Sequence, residues 1–276
     1  MSNTVICACK NRNKPLTISL TSWLHNKNID EIIVVDWSSD EPLFHLAKLD
    51  SRIKIVRVNN QQYFNQQQPL NLAIQLAEGK NILKLDCDYI LNPYYNFFDH
   101  YKIDSKSFVC GEFDSAENLD WNEFIKPLRG LLYCTKQNLM DVGGYEESMG
   151  EIYGYEDGEL ENRLVGKGLE KKKLEYDHFL IHIPHPNSYR YENFKNGKEV
   201  INSELQKLLD EFEYKKAAGH YTEEQRKWLV DYYITQQNIK VNMEKFKDNQ
   251  KTKAINSTCW GVKKIDTQLF EGIILE

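Results

Sequence analysis

Residues 1–115 alternate short apolar runs with amphipathic segments of helical period. Runs at Thr4–Ala8, Glu31–Val35, Ile53–Val58, Asn81–Leu85 and Phe108–Phe113 read as strands. Between them, Leu16–His25, Leu43–Lys48 and Pro69–Glu78 read as helices. Strands separated by helices in this way predict a mostly parallel sheet covered on both faces. The clearest helix is the last, where Leu70, Ala73, Ile74 and Ala77 form one apolar face. Pro69 suits its first turn and Gly79 its C-terminal cap.

The polar residues that follow these strands converge. In an open α/β sheet, ligands lie beyond the carboxyl ends of the strands. Here the first strand runs into Lys10-Asn11-Arg12, the second into Asp36-Trp37-Ser38-Ser39-Asp40 and the fourth into Asp86-Cys87-Asp88. Residues 59–68, rich in Asn and Gln and broken by Tyr63 and Phe64, read as a polar surface loop. Beyond residue 115 the pattern is mixed, with turns at Gly143-Gly144 and Gly154. Residues 199–276 read as a helical, highly charged extension containing Glu204–Phe212 and Glu223–Tyr233, with a short tail around Trp260–Leu275. Its charged faces permit a homodimer, packing over the site or a partner.

Composition narrows the function class. A net charge of −6 argues against a general nucleic-acid binder, which needs a basic footprint. A bound metal ion can still make room for an anionic nucleotide. No run approaches the ~20 apolar residues that cross a bilayer, and the N-terminus enters a strand at once without a signal peptide. The expected location is therefore cytoplasmic or peripheral to a membrane. The six cysteines (7, 9, 87, 110, 134 and 259) show no metal or disulfide spacing, so free thiols are expected. Without a secretory signal, Asn256-Ser257-Thr258 reads as an accidental acceptor pattern for glycosylation.

Three constellations carry chemistry. Asp86 and Asp88 lie two apart, so in extended backbone both side chains face one way and Cys87 faces the core. Paired carboxylates of this kind suit Mg²⁺ or Mn²⁺. The null for a bare triplet is an acidic turn; its place at the end of a parallel strand raises the functional reading. Tyr153-Gly154-Tyr155-Glu156-Asp157 opens a helix with Leu160 and Leu164 on its buried face. Its acids can complement the helix dipole, or one can serve as general base towards a hydroxyl. In His182-Ile183-Pro184-His185-Pro186, the prolines can hold an extended three-residue period that presents both imidazoles on one side. A lone loop histidine is the bland alternative, and His185 becomes a metal ligand only if the segment folds back onto the Asp-x-Asp rim.

Together these residues resemble the metal-dependent glycosyltransferases of the α/β nucleotide-binding (GT-A, Rossmann-like) fold. The likeness is to family-2 enzymes and to the β-1,4-galactosyltransferase and chondroitin-polymerase type, over residues 4–190. It rests on Cys9-Lys10-Asn11-Arg12, Val34-Val35-Asp36, Phe64-Asn65 with Asn71-Leu72-Ala73, Leu85-Asp86-Cys87-Asp88, Gly130–Lys136, Val142-Gly143-Gly144-Tyr145 and Gly154-Tyr155-Glu156-Asp157 through Asn162-Arg163-Leu164.

The resemblance implies a mixed, mostly parallel sheet flanked by helices in a domain over residues 1–198. Its nucleotide-sugar half is 1–115 and its acceptor half 116–198, followed by the extension. Lys10, Arg12, Asp36, Phe64, Asn71, Asp86 and Asp88 would meet a UDP-sugar. Asp88 and His185, with Asp86 and His182 as further candidates, would hold Mn²⁺ or Mg²⁺. Asp157 would be the base of an inverting transfer to a glycan or other hydroxyl acceptor, with Glu156, Tyr153 and Tyr155 on the acceptor side. The sequence departs from the family where Tyr153 and Tyr155 replace a common Trp and Gly, and where Gln66 replaces a frequently basic residue. The alternatives are a sugar-phosphate nucleotidyltransferase, for which a Gly-rich basic loop is missing, and a carbohydrate-binding protein on the same fold.

Overall fold

A seven-stranded sheet with strand order β3-β2-β1-β4-β7-β6-β8 organises the chain. In the computed structural model the described residues are 2–111, 130–149, 153–174, 179–183 and 185. In the C-terminal part they are 206–207, 209–211, 213, 222–223, 233, 237–248 and 256. The strands are β1 (Asn3–Cys9), β2 (Glu31–Trp37), β3 (Ile53–Val58), β4 (Asn81–Lys84), β6 (Ser107–Cys110), β7 (Leu132–Thr135) and β8 (Glu170–Lys173). A separate antiparallel pair joins β5 (Tyr89–Leu91) to β9 (Leu180–His182). β1 pairs in parallel with both β2 and β4, and β2 with β3; only β7 reverses the direction. The sheet is mixed and mostly parallel, as expected.

Strand alternation sorts the apolar side chains into two cores, one on each face. Val5, Cys7 and Cys9 of β1, with Ile32 and Val34 of β2, meet Leu16, Leu20 and Trp23 of α1 (Asn13–Leu24). On the other face Ile6, Ile33, Val35 and Trp37 meet Leu70, Ala73 and Ile74 of α2 (Gln67–Leu76). Leu160 and Leu164 of α5 (Glu156–Gly166) belong to that same core. Two short helices, α3 (Phe97–His100) and α4 (Lys136–Asp141), complete the shell, and Leu43–Leu49 is a 3₁₀ segment. No helix among the described residues is long and apolar enough to cross a membrane.

Several local expectations change. Helix α2 ends at Leu76 with Ala77 as its cap, so Gly79 does not cap it. Gly79 instead lets the chain pass β1: a Cβ there would sit 2.4 Å from Thr4 Oγ1. Asp86-Cys87-Asp88 is not extended, because β4 stops at Lys84 and Tyr89 N donates to Asp86 O at 3.2 Å, closing a turn. The two carboxylates therefore take separate partners. His182 lies in a strand rather than in a proline-held helix, because its segment pairs with β5. The five described cysteines are free and buried; Cys259 lies outside the described residues. Part of Glu204–Phe212, most of Glu223–Tyr233 and all of Trp260–Leu275 lie outside them as well.

Candidate active site

The strand order reverses between β1 and β4, and their carboxyl ends open the crevice where such sheets bind ligands. Arg12, at the start of α1, reaches across it from the β1 exit. Its Nη1 donates to Asp88 Oδ2 at 2.7 Å, and the Asp88 side chain is almost wholly buried. The turn that leads there uses a left-handed backbone at Asn11 (φ 56°), whose side-chain oxygen accepts from Asp40 N at 2.8 Å. Asparagine tolerates that conformation better than most residues.

Both histidines arrive by strand pairing. Tyr89 lies opposite His182, and Ile183 N donates to Asp88 O at 2.8 Å. His185 Nε2 then lies 3.0 Å and His182 Nε2 3.8 Å from Asp88 Oδ2. The segment thus folds back onto the Asp-x-Asp rim, the condition for reading His185 as a ligand. One ligand atom from each of Asp88, His182 and His185 falls within 4.8 Å of the others. A carboxylate oxygen with two imidazole nitrogens is a donor set for a divalent transition-metal ion. Burial alone would raise the Asp88 carboxyl, but the His185 hydrogen bond and the Arg12 charge outweigh it and hold it below the ordinary value. Cys87, between the acids, is turned inward, its Sγ 3.1 Å from Ala8 O and 3.7 Å from Cys7 Sγ.

Asp86 faces the other way. Its Oδ1 lies 2.9 Å from Nζ of Lys84, a lysine 1% exposed. The same ammonium lies 3.4 Å from Asp157 Oδ1, at the start of α5. Tyr145 Oη donates to that same Asp157 oxygen at 3.4 Å. A Cβ on Gly130 would meet Asp86 Oδ2 at 1.9 Å, so glycine is what leaves room for the carboxylate. Gln66 is buried beside them, its amide oriented to accept from Lys84 Nζ at 3.2 Å and donate to Glu156 Oε1 at 3.1 Å. Glu156 Oε2 accepts from Gly154 N at 2.8 Å. Burial, and then the neighbouring Asp157, push Glu156 up to about 7. Burial pushes Asp157 up to about 6 against the opposing pull of Lys84.

The first-turn acids of α5 thus have distinct duties. Glu159 pairs with Arg163 one turn on, Glu156 turns back to its own backbone, and Asp157 alone reaches Lys84. Sequence reasoning missed Lys84. A lysine inside the run Asn81–Leu85, where every neighbour is buried, was the available signal.

The residues expected around the nucleotide brace the crevice floor. Lys10 Nζ donates to the carbonyls of Trp37, Ser38 and Gln61, and burial lowers its pKa. Asp36 belongs to β2 and is fully buried: Oδ1 accepts from Ser39 N, and Oδ2 from Leu43 N and Arg57 Nη1. Asn71, also fully buried, exchanges hydrogen bonds with the backbone of Tyr145 and donates to Glu147 Oε1. Phe64 packs against the core under α2.

On the acceptor side, Tyr155 takes a left-handed backbone (φ 74°) before α5, at a cost of about 1–2 kcal/mol. Its hydroxyl accepts from Asn162 Nδ2 at 3.2 Å, and Phe246 meets its ring edge-on. Tyr153 adjoins the same Gly154 turn. The helical residues 237–248 reach this turn as well: the fully buried Asn242 donates to Gly154 O at 2.6 Å, and Lys245 to Ser148 O at 3.0 Å. Asn256 Nδ2 donates to the carbonyls of Gly143 and Tyr145, which engages the nitrogen that a glycan would need. These described residues of the extension therefore pack against residues 143–154.

Residues 4–197 match the family model described as glycosyl transferase family 2. In sequence, no curated protein matches the chain. Among solved structures, S. aureus TarS is similar at a TM-score of 0.50 and 18% identity, over 70% of this chain and 38% of the TarS chain. The chain thus spans well under half the length of that TarS structure. S. aureus TarS 1–349 matches at a TM-score of 0.50 and 16% identity, over 87% of this chain and 81% of that one. The mannosyltransferase PcManGT from Pyrobaculum calidifontis, solved with GDP-Man and Mn²⁺, matches at 0.52 and 13% identity, over 84% and 73%. These likenesses bear out the GT-A fold. The family span holds the crevice, its acids and both histidines, and through it this chain belongs to glycosyl transferase family 2 and is a glycosyltransferase.

Proposed function

We propose that the chain is a metal-dependent, inverting glycosyltransferase that moves a sugar from a UDP-sugar to a hydroxyl of a glycan or other acceptor. The observation that carries this reading is the cluster of Asp88, His182 and His185 at the β1–β4 crevice, beside which Lys84 joins Asp86 to a second acid, Asp157, at the start of α5. PcManGT was solved with GDP-Man and Mn²⁺, and TarS 1–349 with UDP, which supports a nucleotide and a metal in this place. Residues 1–198 would form the catalytic unit, with residues 237–248 and 256 bracing its acceptor half.

Asp88, His182 and His185 would hold Mn²⁺ or Mg²⁺, with Asp86 turned towards Lys84 and towards the ribose. A bound divalent ion supplies Lewis-acid stabilisation of a departing diphosphate. Arg12, which donates to Asp88 at the crevice, would meet the diphosphate oxygens. Lys10 and Asp36 keep the floor rigid, and Phe64 and Asn71 fix the entry of α2 beneath the nucleotide. Asp157 accepts the proton of the acceptor hydroxyl. Its two hydrogen-bond partners both hold Oδ1, so Oδ2 has none among the described residues and is open to that proton. Glu156, Tyr153 and Tyr155 shape the acceptor face.

A panel of UDP- and GDP-sugars, incubated with Mn²⁺ or with chelator, tests the reading. Mn²⁺-dependent release of UDP that increases with a saccharide acceptor is expected. Release of pyrophosphate, or turnover unaffected by chelator and by Asp88→Ala, would overturn it.

A further inference from the structure

Lysine is an expensive choice for a buried strand position: removing an ammonium from water costs several kcal/mol even after the protein relaxes around it. Lys84 stands in β4 directly before the Asp86 turn, between the buried Ile82 and Leu85. Its ammonium has three hydrogens and no lone pair. Three acceptors surround it, each from a different segment: Asp86 Oδ1 at 2.9 Å, Asp157 Oδ1 at 3.4 Å and the Gln66 amide oxygen at 3.2 Å. A single carboxylate would balance the charge but leave N–H groups of the ammonium unsatisfied. What three acceptors add is a fixed geometry between segments 73 residues apart in the chain.

We propose that Lys84 is a positioning residue for glycosyl transfer, fixing the acceptor-side Asp157 and the donor-side Asp86 on one buried ammonium. The proposal rests on Asp157 being the base. Holding Asp157 by Oδ1, together with Tyr145, leaves Oδ2 without a hydrogen-bond partner among the described residues. Holding Asp86 by Oδ1 keeps the other oxygen over Gly130, on the donor side. Through Gln66 the same ammonium also reaches Glu156, so donor turn, α2 entry and α5 start share one centre. Loss of Lys84 would free Asp157 to rotate, and a misplacement of ~1 Å at a reacting group can cost ~100-fold in rate.

The test is a double-mutant cycle on the full chain with Lys84→Met, Asp157→Asn and both together, under Mn²⁺ and saturating donor. Lys84→Met should lower kcat by about 100-fold through Asp157 and raise the donor KM through Asp86, with the Mn²⁺-dependent thermal shift retained. In the Asp157→Asn background the same change should alter kcat at saturating donor less than about threefold, because the base it positions is gone, while the donor KM still rises. Effects that multiply, or a fully active Lys84→Met, overturn the proposal while leaving Asp157 as base. A fully active Asp157→Asn overturns the base and the proposal with it. If Lys84→Met does not fold, Lys84→Gln, which can still donate to one carboxylate, enters the cycle with the same expected non-additivity.

Discussion

Arg12 Nη1 lies 2.7 Å from Asp88 Oδ2, so a guanidinium sits against the carboxylate that, with His182 and His185, could hold a cation. The two residues are 76 positions apart and meet because β1 and β4 are neighbours in the sheet. Arginine and metal ion therefore compete for one carboxylate, and the sign of that competition can be measured. Arg12→Gln should tighten Mn²⁺ binding in the absence of nucleotide, because the ion no longer displaces a resident charge. The same variant should bind UDP in the presence of Mn²⁺ about 10- to 100-fold more weakly, the value of a charge-assisted hydrogen bond. Calorimetric titration with Mn²⁺ and then UDP reads both. Weaker Mn²⁺ binding would show that Arg12 assists the ion rather than opposing it.

Asp157 and Glu156 give activity and stability opposite pH trends. Burial pushes Asp157 up to about 6 and Glu156 up to about 7, both above their unfolded values. Between about pH 4 and 7 these two groups bind more protons in the native state than in the unfolded chain, so the stability they contribute falls as pH rises through this window. Activity needs the ionised base, so kcat/KM should rise over the same range and level off above about pH 7. Urea midpoints at pH 5 and pH 8 should differ in favour of pH 5 by more in wild type than in Asp157→Asn. Equal differences in the two proteins would show that Asp157 titrates as an ordinary carboxylate.

The local pattern made much of this fold legible. Continuous apolar runs mark β1 to β4 because each strand is buried on both faces, and a short period-independent run is the usual trace of such strands. Asp88, Asp157, His182 and His185 were visible for a related reason: charged or imidazole groups stood where strands and a helix begin or end. Three things were not visible. The turn at Asp86–Tyr89 depends on Tyr89 joining β9, a strand about 90 residues on, so no local rule could give it. Lys84 reads as one more polar residue until its partners arrive from α2 and α5. The ties from Asn242 and Asn256 to the acceptor half come from a charged region whose periodicity says only that it is helical.

Asp36 separates a structural from a nucleotide-binding role. Its carboxylate is fully buried, and Arg57 donates to it at 2.6 Å while the backbone of Ser39 and Leu43 uses the remaining lone pairs. Removing one partner of a buried ion pair strands the other and typically costs about 3–5 kcal/mol. Asp36→Ala should therefore lower the unfolding free energy by an amount in that range and the urea midpoint with it, with Arg57→Leu nearly as costly. The double variant should recover part of the loss, because no charge is then left unpaired. An unchanged midpoint with weaker UDP binding would instead place Asp36 among the groups that meet the nucleotide alone.

Asn242 tests whether the C-terminal extension serves the acceptor. Its side chain is wholly buried and donates to Gly154 O at 2.6 Å, immediately before the left-handed Tyr155 and close in sequence to the proposed base Asp157. A tyrosine in that backbone conformation relaxes unless neighbours hold it. Asn242→Ala leaves the Gly154 carbonyl without its donor, a loss of about 1–3 kcal/mol for a buried group. Part of that loss should appear as a misplaced acceptor turn. The expected outcome is a rise in acceptor KM of roughly 10-fold with the donor KM unchanged, since the crevice between β1 and β4 is built without Asn242. Donor and acceptor saturation curves on the variant decide the matter. A rise confined to the donor KM would mean that the extension acts on the nucleotide side of the site.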